Sequence, residues 1–176
     1  MSHTRIKPPL TILDWILEIA ALITVIATVA LFVVVWLRAP DIVPIHYNFA
    51  GQADSFGNKS TLWGLPVISL ITYIGLTILN CYPHIFNFPT KVTPENAEAL
   101  YKIATRVMRT VKLLVSLMFL WVVWYDYLQI TTPQINNSLN TVFIIVLWGW
   151  IALLCICIVW SIYKMIRIGN ASNEFL

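Results

Sequence analysis

Four long apolar stretches, roughly 15–37, 62–82, 111–130 and 140–163, alternate with short polar segments along the chain. A helix needs about 20 residues to cross the hydrocarbon core of a bilayer, and each stretch is long enough. The segment between the first two stretches, 38–61, is polar and dense in turn-forming residues. The segment between the second and third, 83–110, has a different rhythm. There Leu100, Ile103, Ala104, Val107, Met108 and Val111 recur at helical spacing, and Lys102, Arg106, Arg109 and Lys112 fill the rest of the helix surface. Thr93-Pro94-Glu95 gives this helix a start: a capping hydroxyl, a proline at the first position and an acid in the first turn. The pattern predicts an all-α integral membrane protein with four transmembrane helices, an ordered extracytoplasmic loop, and an amphipathic inner-leaflet helix before the third span.

Composition supports that class. Charged residues make up 11% of the chain, against roughly 25% in a soluble domain. The first apolar stretch is longer than a signal-peptide core and lacks a small-x-small cleavage site, so it reads as a retained span. Nine of the eleven Lys and Arg residues fall in the N-terminal tail, the segment 83–112 and the C-terminal tail. Only Arg38 and Lys59 fall elsewhere. By the positive-inside bias, both termini are cytoplasmic, and 38–61 and 131–139 lie outside. The net charge of +3 therefore serves orientation, and no nucleic-acid partner is called for. The organisation expected is a membrane domain over 1–130, then an outer connector, a fourth span and a short tail over 131–176.

A few polar groups interrupt the spans. Asp14 and Glu18 lie one helical turn apart near the inner end of span one. The simpler reading leaves both at the headgroup interface. The alternative turns Glu18 into the bundle, paired with Arg109 or Lys112, because an unpaired acid at that depth costs on the order of 2.5–3.5 kcal/mol. Asp126 sits among Trp121, Trp124, Tyr125 and Tyr127 near the outer surface, where Arg38, His46 and Lys59 are candidate partners. Cys81, Cys155 and Cys157 give no disulfide framework and read as small apolar residues.

The chemistry concentrates in the first outer loop. Val43 to Phe49 alternates as a short strand would, Ala50-Gly51-Gln52 supplies a turn, and Gly57-Asn58 supplies a second. A small hairpin on the membrane surface follows. His46 and Asp54 are the loop's metal-ligand candidates, with Asp41 and Asp126 as additions, but a zinc site takes three or four ligands. The simpler role for His46 is a hydrogen bond within the folded loop. No nucleophile elbow, phosphate loop or dinucleotide fingerprint is present, and no cofactor is called for.

Read as Pro-Asp-x-Val-Pro-x-His-Tyr-Asn-x-x-Gly-x-x-Asp-x-Phe-Gly-x-Lys, the run from Pro40 to Lys59 resembles the hallmark of a bacterial membrane family, domain of unknown function 1648. That family's best-known context is the N-terminal part of SdpI-type immunity proteins, which protect a toxin-producing cell from its own secreted peptide. In a signalling version the protein also holds a transcriptional repressor at the membrane. The resemblance covers roughly residues 12–130 and makes His46, Asn48, Gly51, Asp54, Gly57 and Lys59 the signature positions. The full-length immunity proteins carry further spans after the third, where this chain has one.

The leading expectation is a multi-pass protein of the bacterial cytoplasmic membrane, of immunity or signalling type. Its outer loop would receive an extracellular peptide or envelope ligand. Its inner basic helix would contact anionic lipid or a cytoplasmic regulator. The alternatives are a metal-dependent membrane enzyme built on His46, Asp54 and Asp126, and a small transporter subunit acting as a homo-oligomer.

Overall fold

The computed structural model describes residues 6–132 and 137–173. Positions 1–5, 133–136 and 174–176 lie outside the described residues, and with them Arg5 and the middle of the expected 131–139 connector. Four long helices, α1 (Ile12–Arg38), α2 (Gly64–Asn80), α3 (Ala97–Thr131) and α4 (Asn137–Asn173), supply four segments apolar and long enough to cross a membrane, the second of them running Lys59–Asn80 with the 3₁₀ turn ahead of α2. Between α1 and α2 stands a two-stranded hairpin, β1 (Ile42–Tyr47) and β2 (Ala53–Asn58), so the architecture is mostly helical rather than all-α. The chain is a multi-pass membrane protein.

Helix α1 starts three residues earlier than hydropathy alone suggests, because Thr11 caps it. The Thr11 hydroxyl accepts from the Asp14 N–H (3.4 Å), and the Asp14 carboxylate accepts from the Thr11 N–H (2.8 Å). This reciprocal pair satisfies two end groups at once. Ala21, Val25, Thr28, Phe32 and Val35 then face inward at helical spacing, mainly against α3. Ile16, Ile19, Ile23 and Ile26 face outward. An apolar outer face of that size suits lipid and not water. The Thr24 and Thr28 hydroxyls bond to carbonyls four residues back, so neither is left unpaired in the seam.

The amphipathic helix expected ahead of the third span runs straight into it. Helix α3 runs unbroken for 35 residues, about 52 Å at 1.5 Å per residue. It starts at Ala97 behind a turn over Thr93–Asn96, in which Asn96 Oδ1 accepts from the Thr93 N–H (2.8 Å). The basic face does not look wholly outward. Arg109 and Lys112 are buried, and with Arg106 they meet the two acids of α1. Arg106 grips Asp14 through Nε (3.0 Å) and Nη2 (3.2 Å) and also reaches the Thr11 hydroxyl (2.9 Å). Arg109 lies between the carboxylates, with Nη1 3.7 Å from Asp14 and Nε 3.2 Å from Glu18. The Lys112 ammonium donates to Glu18 and to Thr77 of α2 (2.9 Å), over the face of Tyr73.

The headgroup reading of Asp14 and Glu18 is thereby corrected: both acids turn inward. The reason is energetic. Lipid tails are as apolar as the seam itself, so packing and polar bonds must hold membrane helices together. An acid with a cation opposite it avoids the cost of a lone buried charge. At the far end of the bundle, Phe32, Val35, Ala39, Leu62 and Val123 form a core that also buries Val43 of the hairpin.

Candidate functional site

The hairpin is built by short-range chemistry. Asn48 opens the reversal: its Oδ1 accepts from the N–H groups of Ala50 (2.9 Å) and Gln52 (3.0 Å). Gly51 closes it at φ +74°, a backbone region that side chains disfavour. A Cβ there would also lie 2.8 Å from the Asn140 carbonyl of α4. At Gly57 a Cβ would lie 3.0 Å from the end of the Ile45 side chain, a close contact that Ile45 would have to shift to accept. Gly57-Asn58 is not a second turn. It ends β2, and Asn58 caps the short 3₁₀ helix Lys59–Trp63 by accepting from the Ser60 N–H (2.9 Å).

The pairing of β1 with β2 is irregular on both sides of His46, between Pro44 and His46 and between His46 and Tyr47. His46 turns outward, and its Nδ1 lies 2.6 Å from Asp54 Oδ1 of β2. The pair stays open, with side chains 67% and 44% exposed. Tyr47 turns inward and donates its hydroxyl to Asp126 of α3 (2.9 Å). Burial, with the Asp126 carboxylate beside it, pushes the Tyr47 phenol well above its usual range, so it remains a protonated donor.

Asp126 therefore does not pair with Arg38, His46 or Lys59. Arg38 donates to the Tyr127 hydroxyl (2.8 Å), and Lys59 lies 3.5 Å from Asp41 and over the Trp36 ring. The partner of Asp126 is instead a tyrosine 79 residues away, with no spacing signal in the sequence to mark it.

A second group escaped sequence reasoning. The Tyr125 hydroxyl lies 2.7 Å from the Gly51 carbonyl and 2.8 Å from Asn140 Oδ1, and accepts from Gln129 Nε2 (2.6 Å). With one proton, it donates to one of the two acceptors at a time. Its ring stacks on Phe143 of α4 at 3.8 Å. The hairpin tip is thus bonded to α3 and pressed against α4.

Beside this junction lies a cavity of about 340 Å³. His46, Asn48 and Asp54 of the hairpin supply its polar groups, and Phe49 of the hairpin with Leu147, Trp148 and Ile151 of α4 supply apolar surface. Three signature residues are brought together there: His46, Asn48 and Asp54. Gly51 and Gly57 shape the hairpin, and Lys59 is directed toward Asp41 and Trp36. Among the described residues, no third His, Cys, Asp or Glu joins His46 and Asp54 in a metal-binding group.

Residues 23–70 match the family described as Domain of unknown function (DUF1648). The match runs from the middle of α1 through the whole hairpin into α2, so it covers the signature loop and its two supports. It stops well short of residue 130, the limit given by the resemblance of the loop. An uncharacterized protein of Archaeoglobus fulgidus is 33% identical over 60 residues, which is 30% of this chain and 33% of that protein. The match thus spans about a third of that relative's length. No solved structure matches the chain.

Proposed function

We propose that this chain is a non-catalytic membrane receiver of immunity or signalling type, with both termini cytoplasmic and the hairpin outside. The observation that carries the reading is the cavity between hairpin and α4. There an open His46–Asp54 pair faces an apolar helix surface across about 340 Å³. A site with one polar and one apolar wall suits an amphipathic peptide or envelope molecule arriving at the membrane surface. The resemblance of the loop to SdpI-type immunity proteins supports the same reading. So does the bias of the cations toward the other end, where a cytoplasmic regulator would meet Lys91 and Arg167.

The test is protection. A sensitive bacterial strain expressing the chain is challenged with a secreted toxic peptide, alongside strains expressing His46→Ala and Asp54→Asn. Loss of protection at unchanged membrane abundance supports the reading. Variants that protect as well as the parent would sink it. Variants that vanish from the membrane would make the pair structural. A metal-dependent reaction at the same place would need a third ligand beside His46 and Asp54, and none joins them among the described residues.

A further inference from the structure

A second cavity, of about 340 Å³, lies at the opposite end of the bundle, in the groove between α3 and α4. Its lining changes character along its length. Lys102 and Arg106 of α3 and Lys164 of α4 supply cations, while Ile103, Val107 and Trp160 supply apolar wall. No acidic residue lines it among the described residues. Arg106 is already committed to Asp14 and Thr11, so its charge is matched. Lys102 and Lys164 have no acidic partner among the described residues, and the Lys164 ammonium sits 4.9 Å from the Trp160 ring centroid.

Helix α4 leaves this groove open to lipid. Only 6% of its apolar window is buried, against 33% for α1, so α4 meets its neighbours along a narrow contact. A groove with two unmatched cations at one end and apolar walls along it is complementary to one kind of molecule: an amphiphile with an anionic head and a hydrocarbon tail.

We propose that the α3/α4 groove is a binding site for an anionic phospholipid. The phosphate sits between Lys102 and Lys164, Arg106 lines the groove beside them, and an acyl chain lies along Ile103, Val107 and Trp160. The site is distinct from the hairpin cavity and does not depend on what that cavity receives. It narrows the role of the basic surface: Arg109 and Lys112 hold the helices together, and the two lysines recognise lipid.

Native mass spectrometry of the 176-residue chain in detergent tests this. Phosphatidylglycerol, phosphatidylcholine and inorganic phosphate are added separately. The variants are K102Q/K164Q and, as a control of equal charge outside the groove, K91Q/R167Q. K102Q/K164Q removes both charges that face the phosphate and should weaken phosphatidylglycerol binding by about tenfold or more. The control should bind as the parent does, and thermal unfolding of both variants should match the parent's. Equal binding of the two lipids by the parent overturns the proposal, as does equal loss in both double variants. Retention of phosphate but not of phosphatidylglycerol makes the groove a free-anion site. A dimer lost in K102Q/K164Q makes it a contact between copies.

Discussion

The two ends of this bundle use polar residues in opposite ways. At the end holding Asp14 and Glu18, two acids and three cations are drawn between helices, and Lys112 is 1% exposed. At the hairpin end, the His46–Asp54 pair stays open, and the buried contacts rest on tyrosine hydroxyls: Tyr47 on Asp126, and Tyr125 on Gly51 and Asn140. The contrast separates fastening from receiving. Buried charges are strongly destabilising when one partner is lost, so they hold helices in fixed register. Open pairs are weaker individually and easier to rearrange.

Removing one partner from the ionic end should have the largest effect. Asp14→Ala leaves Arg106 and Arg109 short of a counter-charge and should cost about 3–5 kcal/mol in stability. Unfolding by dodecyl sulfate titration from mild detergent reads this directly. The double variant D14A/R106M should recover much of the loss, since it removes the stranded cation as well. No recovery would mean that Asp14 acts mainly as the cap of α1.

Gly51→Ala comes next. It forces a side chain into a left-handed backbone and against the Asn140 carbonyl, at about 1–3 kcal/mol. If its thermal stability equals that of the parent, the hairpin tip is not seated on α4.

Tyr47→Phe and Tyr125→Phe each remove one hydroxyl from a buried contact and should cost about 1–3 kcal/mol. The Tyr47 change should be the worse of the two, because it strips a buried carboxylate, Asp126, of its donor, while Asn140 Oδ1 keeps Gln129 Nε2 at 3.4 Å. Denaturant midpoints in detergent would rank them, and the reverse order would break the assignment of Tyr47 as the aspartate's main partner.

The smallest stability change belongs to His46→Ala and Asp54→Asn, under about 1 kcal/mol for so exposed a pair. Their effect on protection should be large. A change that is small in stability and large in response is what divides the receiving end from the fastening end. A large stability loss from either would erase the division.

Much of the architecture was legible in the chain itself. Run lengths mark the spans, because a bilayer has a fixed thickness and a helix a fixed rise. Proline and glycine positions mark the hairpin, because those residues restrict or free the backbone locally. His46 and Asp54 were recognisable as a loop pair because eight residues separate them across one reversal. The capping box at Thr11 and Asp14 was equally readable, as a Thr-x-x-Asp spacing before an apolar run.

Tertiary structure alone decided which acid meets which base and which tyrosine meets which acceptor. Lys112 is 94 residues from Glu18, Tyr47 is 79 from Asp126, and Tyr125 is 74 from Gly51. Each pairing depends on the rotation and axial register of one helix against another. Hydropathy is nearly blind to both, since a membrane helix is apolar on its lipid face and on its packed face alike. The sequence thus determined what crosses the bilayer and where the chain turns. The packing of α1 on α3, and of the hairpin on α3 and α4, determined where each polar group found its partner.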